Sequence, residues 1–402
     1  MVPNGWEHKA FGEVVKLSKS KYDPKKSTDC FPCIELEHIV QETGQLTGNV
    51  PASNLGSTKN KFKAGDVIFG KLRPYLRKYA QPNFDGVCSS EIWVFSPTKK
   101  IINSYLFQLV QTNQFISEAN KSAGSKMPRA DWGVVSEMIF PLPPLPEQRK
   151  IAQILSTWDK AITTTEQLLA NSQQQKKALM QQLLTGKKRL LDKNGVRFSG
   201  EWKKYTLGEL GDTFNGLTGK TKDDFGFGKK YIPYINIFKN SRIDVSMLEL
   251  VDVKEGESQS LSQYGDIFFT TSSETPEEVG MSSVLLDHVD ELYLNSFCFG
   301  YRLFGFESLH PEFACYLLRS EHVRGEIAVL GQGATRYNLS KKQLMKLEIT
   351  LPPVNEQKKI ATVLSTADQE ISALQQKLDA LKQEKKALMQ QLLTGKRRVT
   401  LN

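Results

Sequence analysis

The stretch Lys-Lys-Ala-Leu-Met-Gln-Gln-Leu-Leu-Thr-Gly-Lys occurs at residues 176–187 and again, unchanged, at residues 385–396. The two copies lie 209 residues apart, and the same offset aligns residues 142–187 with residues 351–396 without a gap. In this alignment 28 of 46 positions are identical. A match of this length indicates that the chain contains an internal duplication.

Each copy of the repeat predicts one long helix. Prolines precede it, with Asn355 as the predicted N-cap of the second copy and Pro146 at the same position of the first. Gly186 and Gly395 are the predicted C-cap glycines. Between these signals apolar residues recur at alternating spacings of four and three, which is typical of a coiled-coil seam. The predicted seam residues are Ile151, Leu155, Trp158, Ile162, Leu169, Leu179, Leu183, Ile360, Leu364, Ile371, Leu374, Leu378, Leu381, Leu388 and Leu392.

The two helices have more than one possible partner. The sequence allows three arrangements: two ordinary core helices, two separate homodimerisation zippers, or two helices that pair with each other within the chain. The third possibility is favoured because the copies match in phase and a partner in the same chain has a high effective concentration. Antiparallel packing is then expected to place the two remaining segments at opposite ends.

The segments outside the repeat are predicted to be globular. In each of them a Gly-Asp turn, at residues 65–66 and 265–266, precedes a strand rich in β-forming residues, and a helical stretch follows later. Mixed strands and helices favour an α+β domain. The predicted fold is therefore two α+β domains separated by a long antiparallel two-helix coiled coil, with a pseudo-two-fold duplication. The predicted segments are 1–141, 142–190, 200–350 and 351–402.

Basic, aromatic and amide side chains cluster in loops of both globular segments. Arginine and lysine can neutralise phosphates or bond guanine edges, and glutamine and asparagine suit bidentate contacts with bases. The competing interpretation is a solvated, ion-paired surface. The predicted DNA-binding residues are Lys71, Arg73, Tyr75, Arg77, Lys78, Lys126, Arg129, Thr271, Ser272, Gln332, Thr335, Arg336, Tyr337 and Asn338.

The charge distribution does not by itself indicate a nucleic-acid partner. The net charge is +9, but residues 1–141 carry +5 whereas residues 200–350 carry −6. The acidic balance of the second globular segment is an objection to DNA binding. We expect its acidic groups at residues 277–278 and 287–291 to face away from any nucleic acid.

Signals for catalysis, metal binding and membranes are weak. Gly219-Lys220-Thr221 resembles the end of a phosphate-binding loop, but Phe214 stands where the motif requires an earlier glycine. Cys30 and Cys33 have zinc-ligand spacing without a second close pair, so no metal site is expected. No run of 18 apolar residues and no signal-peptide pattern occurs, and five cysteines suit a reducing compartment. We expect a cytoplasmic binding protein without membrane contact.

The order of the segments and the opening of each repeat resemble the specificity subunits of type I restriction-modification systems. The resemblance depends on the motifs at residues 143–152 and 352–361, on the paired helices, and on the loops at 125–129 and 334–338. It covers nearly the whole chain. It implies that each globular segment is a target-recognition domain for one half of a split, asymmetric DNA site, and that the helices fix the gap between the halves.

The same resemblance implies partners and the absence of a bound cofactor. The implied partners are double-stranded DNA, two adenine-methyltransferase subunits and motor-endonuclease subunits. S-adenosylmethionine, ATP and Mg²⁺ are expected on those partner subunits and none of them on this chain, which is expected to be non-catalytic. The residues predicted to lie near the methyltransferase contact are Glu147, Gln148, Glu356 and Gln357.

Two other functions remain open from the sequence. One is a non-catalytic coiled-coil scaffold whose two globular domains bind proteins, which suits the helices and the acidic second segment. The other is a stand-alone modification enzyme, which the weak catalytic signals disfavour.

Overall fold

A computed structural model describes residues 3–26, 29–121, 127–333 and 336–401. The chain forms two compact units, one of residues 1–167 with 375–402 and the other of residues 168–374. Each unit combines one globular segment with about half of each long helix. The helical segments predicted as separate spacers are therefore divided between the units.

The first globular segment contains strands and short helices in mixed order, as predicted. Its strands are β1 (Glu7–Ala10), β2 (Val15–Leu17), β3 (Lys21–Tyr22), β4 (Pro32–Ile34), β5 (Val50–Pro51), β6 (Lys59–Phe62), β7 (Val67–Gly70), β8 (Tyr79–Ala80), β9 (Gly86–Cys88), β10 (Ile92–Pro97) and β11 (Ile139–Leu142). Its helices are α1 (Phe11–Val14), α2 (Asn103–Leu109), α3 (Asn113–Asn120) and α4 (Trp132–Ser136), and the first long helix is α5 (Leu145–Leu183). The sheets have the orders β2-β10-β7-β8, β3-β6-β9-β4-β5 and β1-β11. Among the strands described in this segment, all pairs are antiparallel except β4 with β9, which is parallel.

The second globular segment repeats this layout. Its strands are β12 (Lys203–Thr206), β13 (Gly211–Asn215), β14 (Phe225–Ile232), β15 (Glu249–Val251), β16 (Ile267–Thr270), β17 (Ser272–Ser273), β18 (Ser282–Val284), β19 (Tyr293–Leu294), β20 (Cys298–Leu303), β21 (Gly331–Gln332), β22 (Tyr337–Leu339) and β23 (Glu348–Leu351). Its helices are α6 (Leu207–Leu210), α7 (Tyr234–Lys239), α8 (Pro311–Leu317), α9 (Glu321–Leu330) and α10 (Lys341–Leu344), followed by the second long helix α11 (Val354–Leu393). The sheets have the orders β13-β20-β16-β18, β15-β14-β19, β17-β22-β21 and β12-β23.

The Gly-Asp turns before β7 and β16 have the same construction. Gly65 and Gly265 adopt φ values of +85° and +88°, which glycine tolerates without steric cost. The carboxylate of Asp66 accepts from the N–H of Lys63 at 2.8 Å, and Asp266 accepts from Gln263 at the same distance. The predicted strands after these turns, Val67–Gly70 and Ile267–Thr270, are confirmed.

The helices begin slightly earlier than predicted. They start at Leu145 and Val354, so Pro146 and Asn355 lie inside the first turn and Asn355 is not the N-cap. A proline is tolerated there because the first N–H groups of a helix have no intrahelical acceptor. Gly186 and Gly395 have φ values of +71° and +74°, the left-handed geometry of the predicted C-cap glycines.

The two long helices run antiparallel within each unit. In the first unit the ammonium of Lys385 lies 2.5 Å from Asp159 and that of Lys382 lies 2.8 Å from Glu166. Residue numbers thus rise along α5 as they fall along α11. In the second unit the hydroxyl of Ser172 donates to Glu370 at 3.1 Å, and Lys176 pairs with Asp368 in the same sense. Every predicted seam residue is buried or half-buried, as a coiled-coil seam requires.

The core of each globular segment includes turns from both long helices. In the first unit, Leu155 near the start of α5 and Leu392 near the end of α11 belong to one apolar cluster with the domain. In the second unit, Leu183 from the end of α5 and Leu364 from the start of α11 do the same. The domain and its helix ends therefore share one hydrophobic core.

Candidate nucleic-acid interface

Three segments of the first domain meet just beyond the end of β7. The N–H of Lys71 donates to the carbonyl of Glu91 at 2.9 Å, and the N–H of Ala130 donates to the carbonyl of Lys71 at 2.8 Å. The N–H of Arg73 donates to the carbonyl of Pro128 at 2.7 Å. Backbone hydrogen bonds therefore hold the segments at 71–73, 89–91 and 128–130 side by side.

The side chains on this surface suit contact with DNA. Arg73 and Tyr75 are exposed, and Lys71 is half-buried. The guanidinium of Arg129 donates to the carboxylate of Glu91 at 3.0 Å, so its orientation is restrained. Met127, also exposed, was not among the predicted residues. The predicted Lys126 lies outside the described residues.

Two of the predicted DNA-binding residues have internal partners instead. The guanidinium of Arg77 donates to Asn113 Oδ1 at 2.6 Å and to the carbonyl of Gln111, and its Nε lies 3.3 Å from the carboxylate of Glu42. The ammonium of Lys78 donates to a backbone carbonyl, that of Leu36, at 2.6 Å. These contacts stabilise the domain, so the prediction that both side chains face DNA lacks structural support.

An equivalent surface lies beyond the end of β16 in the second domain. The N–H of Thr271 donates to the carbonyl of Phe297 at 3.0 Å, and its own carbonyl accepts from the N–H of Leu339 at 2.8 Å. Ser272 pairs with Asn338 in the β17–β22 ladder, and Asn338 also pairs with Gln332 in the β21–β22 ladder. The predicted residues of this domain are therefore brought together by a small three-stranded sheet.

The side chains of this second surface are mostly polar and uncharged. Gln332, Arg336 and Asn338 are exposed, while Thr271, Ser272 and Tyr337 are half-buried. The Nε of Arg336 donates to Ser272 Oγ at 3.2 Å, which orients the guanidinium across the sheet. The predicted Thr335 lies outside the described residues.

The acidic groups of the second domain have local partners. Ser273 Oγ, itself buried, donates to the carboxylate of Glu278 at 3.3 Å. The carboxylates of Asp287 and Glu291 are instead paired with Arg242 and Lys229. That these acidic groups face away from any nucleic acid stays a prediction.

Burial shifts the pKa of two groups in the second domain. The hydroxyl of Tyr234 donates to the carbonyl of Ser272 at 3.1 Å, and burial raises the pKa of Tyr234. Burial lowers the pKa of Lys341, whose ammonium lies 5.5 Å from the centre of the Phe299 ring. The Tyr234 hydroxyl therefore holds the backbone of β17, whereas Lys341 contacts β13 and β20.

Phe297 is the residue of this surface that sequence reasoning missed. Its side chain is 64% exposed although it stands between two apolar strands, β19 and β20. In the sequence it belongs to the run Phe297-Cys298-Phe299, which is typical of a buried strand. Only its position in a turn distinguishes it from its buried neighbour Phe299.

The carboxylates predicted to lie near a partner subunit are buried in internal ion pairs. Glu147, at the start of α5, accepts from the guanidinium of Arg398 and from the indole N–H of Trp6 at 3.1 Å. Glu356, at the start of α11, accepts two hydrogen bonds from Arg189, at 2.5 and 2.7 Å. Each pair joins the start of one long helix to the segment after the end of the other.

The neighbouring glutamines are also occupied internally. The amide of Gln148 donates to the carbonyls of Lys100 and Pro143, both at 2.8 Å, and accepts from the N–H of Ile102 at 3.1 Å. Gln357 repeats all three hydrogen bonds in the second unit. Its partners are Ser308, Pro352 and His310. The burial of these glutamines and of the two glutamates argues against direct contact with a partner subunit, because each side chain instead holds a helix start onto its domain.

The weak metal and nucleotide signals find no support in the described part of the chain. Cys33 and Cys88 are buried while Cys30 is exposed, and burial raises the pKa of the Cys33 thiol to about 12. No group of three metal-ligating side chains occurs among the residues that the structure describes. The ammonium of Lys220, in the phosphate-loop-like segment, pairs with Glu257 at 2.6 Å.

Comparison with known proteins identifies the family. The profile of the type I restriction modification DNA specificity domain matches residues 3–171 and again residues 199–383. The chain belongs to the type I restriction-modification DNA specificity family. The two matches correspond to the two halves of the duplication, so the chain carries the DNA specificity domain twice. The function predicted from the sequence, DNA specificity within a type I restriction-modification system, is confirmed at this level.

Individual relatives agree with this family. The EcoDI specificity subunit of Escherichia coli is 32% identical over 158 residues, which are 38% of this chain and 34% of that protein. The MjaVIII specificity subunit of Methanocaldococcus jannaschii is 25% identical over 440 positions, covering 99% of this chain and 94% of that protein. These matches favour DNA specificity over a protein-binding scaffold.

Solved structures show the same fold. A chain from a type I restriction-modification assembly has a TM-score of 0.59 at 23% identity, covering 99% of this chain and all of that one. The HsdS subunit of Thermoanaerobacter tengcongensis has a TM-score of 0.51 at 22% identity, with 98% of each chain covered. The predicted fold, two α+β domains with long antiparallel helices, is confirmed.

Membrane insertion of a helix finds no support in the structure. Across the described ranges, none of the helices has both the length and the apolar character that crossing a lipid bilayer requires.

Proposed function

We propose that this chain reads a bipartite DNA site, with one domain for each half and with α5 and α11 fixing the distance between the halves. The observation that carries this proposal is the pair of surfaces beyond β7 and β16. They share one backbone framework and differ in nearly every exposed side chain. Two copies of a framework with different side chains suit the reading of two different sequences.

The chemistry of the two surfaces supports different modes of contact. The first presents the guanidiniums of Arg73 and Arg129 and the phenol of Tyr75, which suit phosphates and guanine edges. The second presents amides, hydroxyls and the single guanidinium of Arg336, which suit direct hydrogen bonds to base edges. The split site is therefore expected to be asymmetric.

We further propose that the chain acts without catalytic groups of its own. Two adenine-methyltransferase subunits and the motor-endonuclease subunits supply the chemistry, and S-adenosylmethionine, ATP and Mg²⁺ bind to those subunits. The assembly works on double-stranded DNA in the cytoplasm. Since Glu147, Gln148, Glu356 and Gln357 are buried, the exposed lysine and glutamine side chains of the long helices are the better candidates for subunit docking.

Methylome sequencing of a host with and without the gene for this chain tests the proposal. The expected result is a split adenine-methylated motif of two unequal halves that disappears when the gene is deleted. The purified chain alone is expected to transfer no methyl group to DNA. A single contiguous motif, or methylation by the isolated chain, would contradict the proposal.

A further inference from the structure

The turn between β19 and β20 presents an aromatic ring beside the polar groups of the second surface. Phe297 is 64% exposed, whereas the adjacent Cys298 and Phe299 are buried. The carbonyl of Phe297 accepts from the N–H of Thr271, so the ring stands next to the loop that follows β16. An exposed apolar ring is thereby placed beside the loop that carries the hydroxyls of Thr271 and Ser272.

The backbone of this turn is tightly held. The N–H of Asn295 donates to the carbonyl of Ile232 at 3.1 Å, and the N–H of Cys298 donates to the carbonyl of Asn295 at 3.1 Å. The side-chain oxygen of Asn295 accepts from the N–H of Phe297 at 2.8 Å. Such an Asx turn restrains the backbone. The position of the ring is therefore set before any ligand arrives.

The first domain contains the same turn with a different residue at its tip. The N–H of Ser89 donates to the carbonyl of Ile34 at 3.0 Å, and that of Ile92 donates to the carbonyl of Ser89 at 3.0 Å. Ser89 Oγ accepts from the N–H of Glu91 at 3.4 Å, and the carbonyl of Glu91 accepts from the N–H of Lys71. Glu91 thus occupies the position that Phe297 occupies in the second domain.

Resting on the proposed function, we infer that this turn position is a specificity determinant in each domain, and that Phe297 makes an apolar contact with a base of the half-site read by the second domain. In the first domain the residue at the same position is Glu91, whose carboxylate accepts a hydrogen bond from the guanidinium of Arg129 and thereby orients this proposed DNA contact. The chemistry of the position differs between domains while its backbone does not, as expected of a variable reading position on a constant framework.

An apolar ring can contact a base in two ways. It can pack against the methyl group of thymine in the major groove, or it can stack at a base step that opens to admit it. Both contacts remove the ring from water and neither neutralises a phosphate. Loss of the ring is therefore expected to reduce affinity and base preference without changing the dependence of affinity on salt.

The chain offers a matched control for this residue. Phe304 is 74% exposed and lies in the same domain, just past the far end of β20 (Cys298–Leu303). Six residues of strand separate it from the turn, or about 20 Å of extended backbone. Phe304→Ala removes the same ring from a position that is also well exposed but lies outside the proposed reading surface.

The test uses the full-length chain and a library of DNA duplexes with random central sequence, from which bound duplexes are sequenced. Wild-type chain is expected to enrich two half-sites. Phe297→Ala is expected to lose the preference at one or two positions of one half-site, with about tenfold weaker binding to the wild-type site. The other half-site and the salt dependence are expected to stay unchanged, and Phe304→Ala is expected to behave as wild type.

Replacing thymine by uracil at the affected position distinguishes the two contacts. If the ring packs against the methyl group, uracil weakens binding of the wild-type chain and leaves Phe297→Ala unaffected. If the ring stacks at an opened base step, uracil has no effect on the binding of either protein.

The inference and the proposed function fail in different ways. A wild-type chain that enriches no half-site contradicts the proposed function and, with it, the proposed base contact of Phe297. A wild-type chain that enriches two half-sites, with Phe297→Ala giving the same preference and affinity, overturns the inference alone. Melting temperatures of the variants, expected to match wild type because both rings are exposed, verify that the domain is folded.

Discussion

Replacement of Arg189 by alanine would leave the carboxylate of Glu356 buried without its guanidinium. The Glu356 side chain has no exposed surface, and it accepts two hydrogen bonds from Arg189 at 2.5 and 2.7 Å. Removing one member of a buried ion pair costs about 3–5 kcal/mol, because the remaining charge is neither hydrated nor paired. This is a large part of the free energy of unfolding of an ordinary domain, which is about 5–15 kcal/mol.

The equivalent pair in the first unit is expected to be less sensitive. Glu147 keeps the hydrogen bond from the indole of Trp6 when Arg398 is removed, and the Arg398 side chain is 43% exposed. Arg398→Ala is therefore expected to cost about 1–3 kcal/mol, the loss associated with a charged hydrogen bond that is partly replaced by water.

Fluorine NMR of the chain labelled with 5-fluorotryptophan can follow the two units separately during a urea titration. Trp202 is the one tryptophan of residues 168–374, and the other four lie in residues 1–167. Arg189→Ala is expected to shift the Trp202 transition to lower urea and to leave the other four transitions nearly unchanged. The guanidinium of Arg189 lies 5.8 Å from the Trp202 ring, so the native resonance of Trp202 is expected to move as well.

Two further variants distinguish loss of the Arg189–Glu356 ion pair from other effects of the substitution. Lys187→Ala, at an exposed position close to Arg189, is expected to unfold as wild type. Glu356→Gln combined with Arg189→Ala is expected to recover part of the loss, because a neutral amide costs less to bury than an unpaired carboxylate. A loss below about 1 kcal/mol for Arg189→Ala would refute the assignment of this pair as a main support of the second unit.

Three other outcomes are expected. Arg77→Ala should lower the free energy of unfolding in urea by about 1.5–3 kcal/mol, because the charged hydrogen bonds of Arg77 are internal. The base preference of the first domain should stay unchanged. Loss of that preference would instead indicate that Arg77 contacts DNA. Inserting one heptad after Gln167 and another after Leu374 keeps the coiled-coil seam in phase and lengthens the pair of long helices by about 10 Å. Methylome sequencing should then report the same half-sites about three base pairs further apart. Hydrogen bonds, the strongest of them from Lys220, lower the pKa of Glu257 to about 2. The Glu257 carboxylate therefore stabilises the fold above pH 4.5, and this contribution is lost as the pH falls toward 2. Thermal melting should show Glu257→Gln less stable than wild type above pH 4.5 and equally stable near pH 2.

The features predicted well from the sequence are those encoded locally. The spacing of apolar residues and the glycines at 186 and 395 define the long helices, because periodicity and left-handed caps depend only on nearby residues. The Gly-Asp turns locate β7 and β16 for the same reason. Even here the prediction of Asn355 as the N-cap is wrong, because the helix begins at Val354, directly after the diproline and two residues earlier than that cap requires.

The features predicted poorly depend on partners far along the chain. Glu147 looks like a surface carboxylate in a first helical turn, but its guanidinium partner is 251 residues away at Arg398. Arg77 belongs to a basic run, yet its contacts with Gln111 and Asn113 come from the later α2–α3 region. No local pattern distinguishes such a residue from a DNA contact, because charge and composition are the same in both cases.

The two helix ends that complete the domain cores have identical sequences. Leu183 and Leu184 enter the core of the second unit, and Leu392 and Leu393, from the same twelve-residue segment, enter the core of the first. One segment therefore packs into the cores of two different domains. Genetic exchange between the duplicated segments can then join a different domain to an unchanged helix end, so a new recognition sequence can arise in one step while the leucines that enter the core stay the same.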